Sequence, residues 1–133
     1  MGTWDIGHFD NDTAADFSGS LDEAPEAERE NIIRTTLTRT IEADEYLDSD
    51  EACEALASAA LIAAQCPGGT PITTAYGPDE PLPVFSPDLR PLAVQALDRI
   101  LAADSELPEL WDDTEHGPQW RQSVADLKAV LLT

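Results

Sequence analysis

Three short stretches of this chain gather side chains able to do chemistry. Asp5, His8, Asp10, Asp12 and Asp16 crowd the N-terminus. Neighbouring carboxylates bind hard cations through oxygen, and a histidine adds a nitrogen ligand for a transition metal. His8, Asp10, Asp12 and Asp16 therefore make a candidate metal site. The alternation of a calcium loop fails at Ala14, where an oxygen is needed. The plainer role for Asp10, Asn11, Asp12 and Thr13 is to cap a helix. The second stretch, Asp112-Asp113-Thr114-Glu115-His116, sets carboxylates beside one of only two histidines. Such a set can move protons or hold a metal, but an acidic turn between helices has the same composition. The third is Glu42, Asp44, Glu45, Asp48, Asp50 and Glu51. It reads as a solvated face or as a surface that meets a basic partner.

Nucleophilic catalysis and phosphate binding have little to work with. There is no G-x-S-x-G elbow, and Gly68-Gly69 lacks the Lys-Ser/Thr that completes a phosphate loop. Cys53 and Cys66, placed thirteen positions apart on one helix, would stand roughly 20 Å from each other, beyond disulfide reach. They read as buried apolar residues. The tryptophans Trp4, Trp111 and Trp120 can line a ligand pocket, though core packing is their commoner use.

Charge excludes more than it suggests. The 133 residues carry 27 acidic and 7 basic side chains, a formal net charge of -20. Gripping phosphates needs clustered Lys and Arg, and here there is one lysine, Lys128, with six scattered arginines. Nucleic acid and anionic membranes are thus poor partners, whereas a basic protein or a cation would be drawn in. No apolar run approaches the ~20 residues of a membrane span, and the N-terminus has no signal-peptide pattern. The expectation is a cytoplasmic protein with no cofactor, as a monomer or small homo-oligomer.

The elements that must position these residues are helical. Residues 1–9 lack a helical period and read as an extended arm. Ala14, Phe17 and Leu21 mark one face of a short first helix. A second helix is predicted from Pro25, inside its first turn, to about Asp44 or Leu47, with Ile33, Leu37 and Ile41 on one face and Glu30 paired with Arg34. A third starts near Asp48, whose spacing to Glu51 suits a capping box. It is apolar on nearly every side from Ala52 to Ala64, which marks a central, buried helix. Residues 67–87 hold six prolines together with Ile72, Tyr76, Leu82, Val84 and Phe85, the signature of an ordered loop packed across the helices. Asp88 is the expected cap of a fourth helix carrying Leu89, Leu92, Ala93, Ala96, Leu97, Ile100 and Leu101 in helical register. Ser105 opens a short fifth segment, and Gly117-Pro118 a last helix striped by Trp120, Val124, Leu127 and Leu131. The fold class is all-α: one small domain of five or six short helices around an Ala-rich central one.

The opening of the chain resembles a bacterial family described as domain of unknown function 4259. Its pattern, roughly G-x-W-x-x-x-x-F-x-N-D-x-A-x-D-F, is met by Gly2, Trp4, Phe9, Asn11, Asp12, Ala14, Asp16 and Phe17. Ala43-Asp44-Glu45-Tyr46-Leu47, the Ala-rich helix and Glu109-Leu110-Trp111 also look like the family. Many relatives have Gly where this chain has Asp5. The resemblance implies a bacterial cytoplasmic protein and brings no activity with it. It makes Trp4, Phe9, Asn11, Asp12 and Asp16, joined by Tyr76 and Trp111, the candidate binding residues. With no coherent catalytic set beside a strong acidic field, the favoured reading is a non-enzymatic module that binds a basic protein, in the manner of an immunity protein facing a basic toxin.

Overall fold

The computed structural model describes residues 12–43, 45–66, 84–102 and 104–132. Six helices follow one another: α1 Asp12–Glu23, α2 Glu26–Ile41, α3 Ser49–Ala64, α4 Leu89–Ile100, α5 Glu106–Asp112 and α6 Gly117–Leu131. Among the described residues the only strand-like pairing is one parallel bridge, Leu47 with Ser105. The all-α expectation holds.

The helix α3 is the centre of the fold because, beyond Glu54, it has no polar face to turn outward. Ala52, Cys53 and every residue from Ala55 to Ala63 are buried. It packs against each of the other five helices. Alanine makes this geometry accessible: small side chains let several helix axes approach one rod without leaving voids. The larger side chains are supplied from outside, by Leu21, Ile33, Leu37, Leu97, Ile100, Leu107, Trp120 and Val124, all 2 % exposed or less. On α4 the predicted stripe is buried at Leu89, Ala93, Ala96, Leu97 and Ile100, while Leu92 and Leu101 sit half-buried at its margins.

Several boundaries differ from the sequence expectation. Pro25 precedes α2 as its extended N-cap residue (φ -57°, ψ 143°) instead of lying in the first turn. The helix stops at Ile41, short of Asp44 or Leu47. Glu42 N–H folds back to the carbonyls of Thr38 and Thr40, and the chain then needs extended backbone to bring Leu47 to Ser105. Cys66 lies past the end of α3, its N–H donating to Ala63 O in a turn. Both cysteines are buried, as expected, and no disulfide is formed among the described residues. Asp88 precedes α4, but its carboxylate makes no capping bond; it is taken up by Arg34 at 2.7 and 3.2 Å. Of the Pro-rich loop, Phe85 is buried with its N–H on Gln65 Oε1, whereas Val84 is 91 % exposed. The remainder of that loop, with Ile72, Tyr76 and Leu82, and the arm 1–9 lie outside the described residues.

A buried arginine ties α1 to α2. Arg29 donates through Nε to the carbonyls of Leu21 (2.8 Å) and Ala24 (3.1 Å), and through an Nη to Asp22 O (3.4 Å). These carbonyls lie at and just past the end of α1, where helical donors run out. A guanidinium, with several donors in one plane, suits such a set.

Candidate functional site

The face with the most to offer is where the chain passes from α2 to α3. Extended backbone at Leu47 pairs with the connection between α4 and α5. Leu47 N–H donates to Asp104 O (2.9 Å), and Leu47 O accepts from Glu106 N–H (2.8 Å). The Leu47 side chain is fully buried. Alternation along the extended backbone then turns Tyr46 and Asp48 outward, and both are exposed, as is Glu45.

Arg99, at the end of α4, fastens this connection. Its Nε donates to Ala43 O (3.1 Å), one Nη to Asp104 O (3.0 Å) and the other to Glu45 O (2.5 Å). Among the described residues, the cation bonded to this stretch thus holds backbone carbonyls and not carboxylates. Asp48 begins α3 by accepting from Glu51 N–H (3.0 Å), as its spacing predicted. Glu106 Oε1 accepts from Ser49 N–H at 2.8 Å, and Glu109 accepts from the Tyr46 hydroxyl. That hydrogen bond, then partial desolvation and the charges of Glu109 and Glu106, push the Tyr46 phenol up to about 12. At neutral pH Tyr46 is an uncharged ring, 52 % exposed, set among carboxylates.

Of the acidic stretch, Glu42, Glu45, Asp48 and Asp50 are exposed and Glu51 is half-buried, while Asp44 lies outside the described residues. Asp50 also accepts from Thr13 Oγ1 (3.1 Å), which joins the starts of α1 and α3. Further along α3, Glu54 meets Arg39 at 3.4 Å. Its carboxyl is held above the usual range, chiefly by burial; Arg39 opposes that, and Asp50, Glu51 and Asp48 reinforce it.

The other candidates separate. Trp4, His8, Phe9, Asp10, Asn11 and Tyr76 lie outside the described residues; Asp12 starts α1 and Asp16 is exposed on it. Among the described residues no group of three or more His, Cys, Asp or Glu side chains is placed to hold a metal. Trp111 is not an open pocket wall: it is buried and stacked on Trp120, with centroids 6.1 Å apart and planes 8° from parallel. In the turn after it, Asp112 is bound by Arg121 at 2.9 and 2.7 Å, a pairing that holds its carboxyl below the usual range. His116 instead meets Gln119 Oε1 through Nδ1 at 3.0 Å, with Glu115 3.8 Å from Nε2. The stretch 112–116 does not converge on one point. An open groove on α2, lined by Arg34, Thr35, Thr38, Arg39 and Glu42, has its guanidiniums engaged by Asp88, Glu30 and Glu54.

Sequence reasoning missed Arg99, Glu106 and Glu109. The first left a trace: Arg99 follows Leu92 by seven and Ala96 by three, so it borders the apolar stripe of α4, where a charge needs a specific partner. The two glutamates on α5 left none.

Among the described residues no helix is long and apolar enough to cross a membrane. No curated protein and no solved structure is detectably similar to the chain. The family model described as Domain of unknown function (DUF4259) matches residues 2–123 of the 133, and the chain belongs to that family.

Proposed function

We propose that this protein is a non-enzymatic, acidic binding module of the bacterial cytoplasm, whose partner is a basic protein. The observation that carries the reading is the convergence on one face of carboxylates from distant parts of the chain. Glu106 and Glu109 of α5 act on the exposed ring of Tyr46, which the α2–α3 connection carries between the exposed carboxylates Glu45 and Asp48. Tyrosine is a frequent anchor at interfaces because it offers a large rigid surface with a polar tip. Its ring can also receive a Lys or Arg side chain while the flanking carboxylates pair with neighbouring cations. A net charge of -20 would speed the encounter with such a partner and orient it. An immunity-like protein that neutralises a basic toxin is the specific form we favour.

The test is a titration of the isotopically labelled protein with a synthetic Lys/Arg-rich peptide at several ionic strengths. Amide shifts should concentrate at Tyr46, Leu47, Ser49 and Glu106, and the affinity should fall as salt rises. Glu45→Lys with Glu109→Lys should abolish the focused shifts. Shifts spread evenly over the surface would mean only a diffuse attraction to net charge, and the proposal would fall.

A further inference from the structure

We infer that residues 45–47, leading into the cap of α3, form a strap clipped onto residues 104–109 and fastened by Arg99, which opens as a unit while the helical bundle stays folded. Its attachment is narrow. One buried side chain, Leu47, plugs it into the core, and two backbone hydrogen bonds join it to Asp104 and Glu106. Tyr46 and Ser49 add the links to Glu109 and Glu106. Segments held by so few contacts open locally, at free energies well below that of global unfolding.

Two features work against closure. Glu106 and Glu109 both act on Tyr46, and the paired segments carry further exposed carboxylates at Glu45, Asp48 and Asp104, so charges of one sign meet across the bridge. The hydroxyl of Ser105 is buried beside the bridge, at 1 % exposure, with no hydrogen-bond partner among the described residues. It precedes α5 but makes no capping bond. An unpaired buried hydroxyl gives up its hydration with nothing in return, and opening the strap restores it. Beside the links above, the Arg99 guanidinium works for closure, with three donors on three carbonyls, two of them on the strap side. Among the described residues, Arg99 and these few links stand against the carboxylates and the orphaned hydroxyl, which leaves the strap poised near opening.

Hydrogen exchange of the full-length protein, read at the amides of Leu47 and Glu106, tests this. Amides of residues 56–60, in the middle of α3, are the internal reference. Arg99→Gln should speed exchange at Leu47 and Glu106 by roughly ten-fold or more and leave the reference unchanged. Arg99→Lys should not restore it, because an ammonium cannot span three carbonyls in one plane. Ser105→Ala should act in the opposite direction, slowing the same two amides by roughly several-fold, since it removes the unpaired hydroxyl without losing a bond. Added salt should also slow them by screening the repulsion. Should Arg99→Gln fail to fold, Ser105→Ala and the milder Tyr46→Phe, expected to speed the two amides a few-fold, decide the matter. Faster exchange in Ser105→Ala, unchanged exchange in Arg99→Gln, or equal acceleration of the α3 amides would each overturn the inference.

Discussion

Gly19 and Gly117 allow the same substitution to be tested with opposite expected signs. Gly117 is buried where α5 hands over to α6. A methyl group built there would lie 2.8 Å from Trp111 O, 3.2 Å from Asp112 Cα and 3.3 Å from Trp111 C. All three are backbone atoms, so none can swing aside as a side-chain tip would. Relief requires α5 and α6 to separate by a few tenths of an ångström at the point where Trp111 stacks on Trp120. Overpacking of this kind costs about 1–3 kcal/mol. Against it stands the reduced freedom of the unfolded chain, worth about 0.4–1 kcal/mol. Gly117→Ala should therefore destabilise by about 1–2 kcal/mol, which for a domain of this size lowers the melting temperature by roughly 4–8 °C. Gly19 lies inside α1 on its exposed side, with nothing within 4 Å of an added methyl. Gly19→Ala should stabilise by about 0.5–1 kcal/mol through helix propensity alone. Urea unfolding followed by tryptophan fluorescence and by far-ultraviolet circular dichroism would measure both variants and check two-state behaviour. Were Gly117→Ala as stable as the parent, the close approach of Trp111 O would not limit the α5–α6 junction, and the reasoning would fail.

Other consequences are as direct. Arg29→Lys should cost about 1–3 kcal/mol, since one ammonium cannot serve the carbonyls of Leu21, Asp22 and Ala24 together; stability within a few tenths of the parent would contradict that. Ala59→Leu, at a fully buried position of α3, should destabilise by about 1–3 kcal/mol or more, with loss of the sharp unfolding transition. Tyr46 should ionise near 12 in an ultraviolet titration on a Tyr76→Phe background, and Glu109→Gln should bring it back toward 10. Its folded value is raised, so the Tyr46–Glu109 link contributes fully below the unfolded value near 10 and is lost as pH climbs through 12. A phenol titrating near 10 in the parent would show that the link does not persist in solution.

What could be read from the sequence was whatever is local. The stripe of α4 and the all-round apolar character of α3 are periodic patterns, and periodicity needs no knowledge of partners. Asp48 capping Glu51 N–H is a bond across three residues, and it was legible for that reason. Asp88 has the right spacing for a cap yet serves Arg34, 54 residues away, because an ion pair in reach competes with an exposed backbone donor. The candidate face shows the limit most clearly. Tyr46 and Glu109 are 63 positions apart, and Ser49 and Glu106 57 apart. Arg99 bonds carbonyl oxygens, which every residue carries and which therefore leave no mark on residue identity. The end of α2 falls earlier than expected for a related reason: Leu47 is buried through extended backbone against Ser105, a pairing 58 positions apart that no local pattern shows. Trp111 illustrates the remaining ambiguity, since an aromatic in a core and one in a pocket look alike until Trp120 is seen against it.

The alanines of α3 also bear on how this fold can drift. Nearly every replacement for alanine adds volume, and the one that removes it, glycine, weakens a helix interior by about 0.5–1 kcal/mol. Because α3 packs against each of the other five helices, an enlarged side chain displaces one neighbour or another whichever way it points. Such a rod accepts few changes, and the compensating neighbour it would need is seldom a single residue. Divergence should then accumulate in the large side chains that α2, α4 and α6 bring to it, where Leu, Ile and Val exchange volume among themselves at small cost. The surrounding helices can be retuned one by one while their common support stays the same.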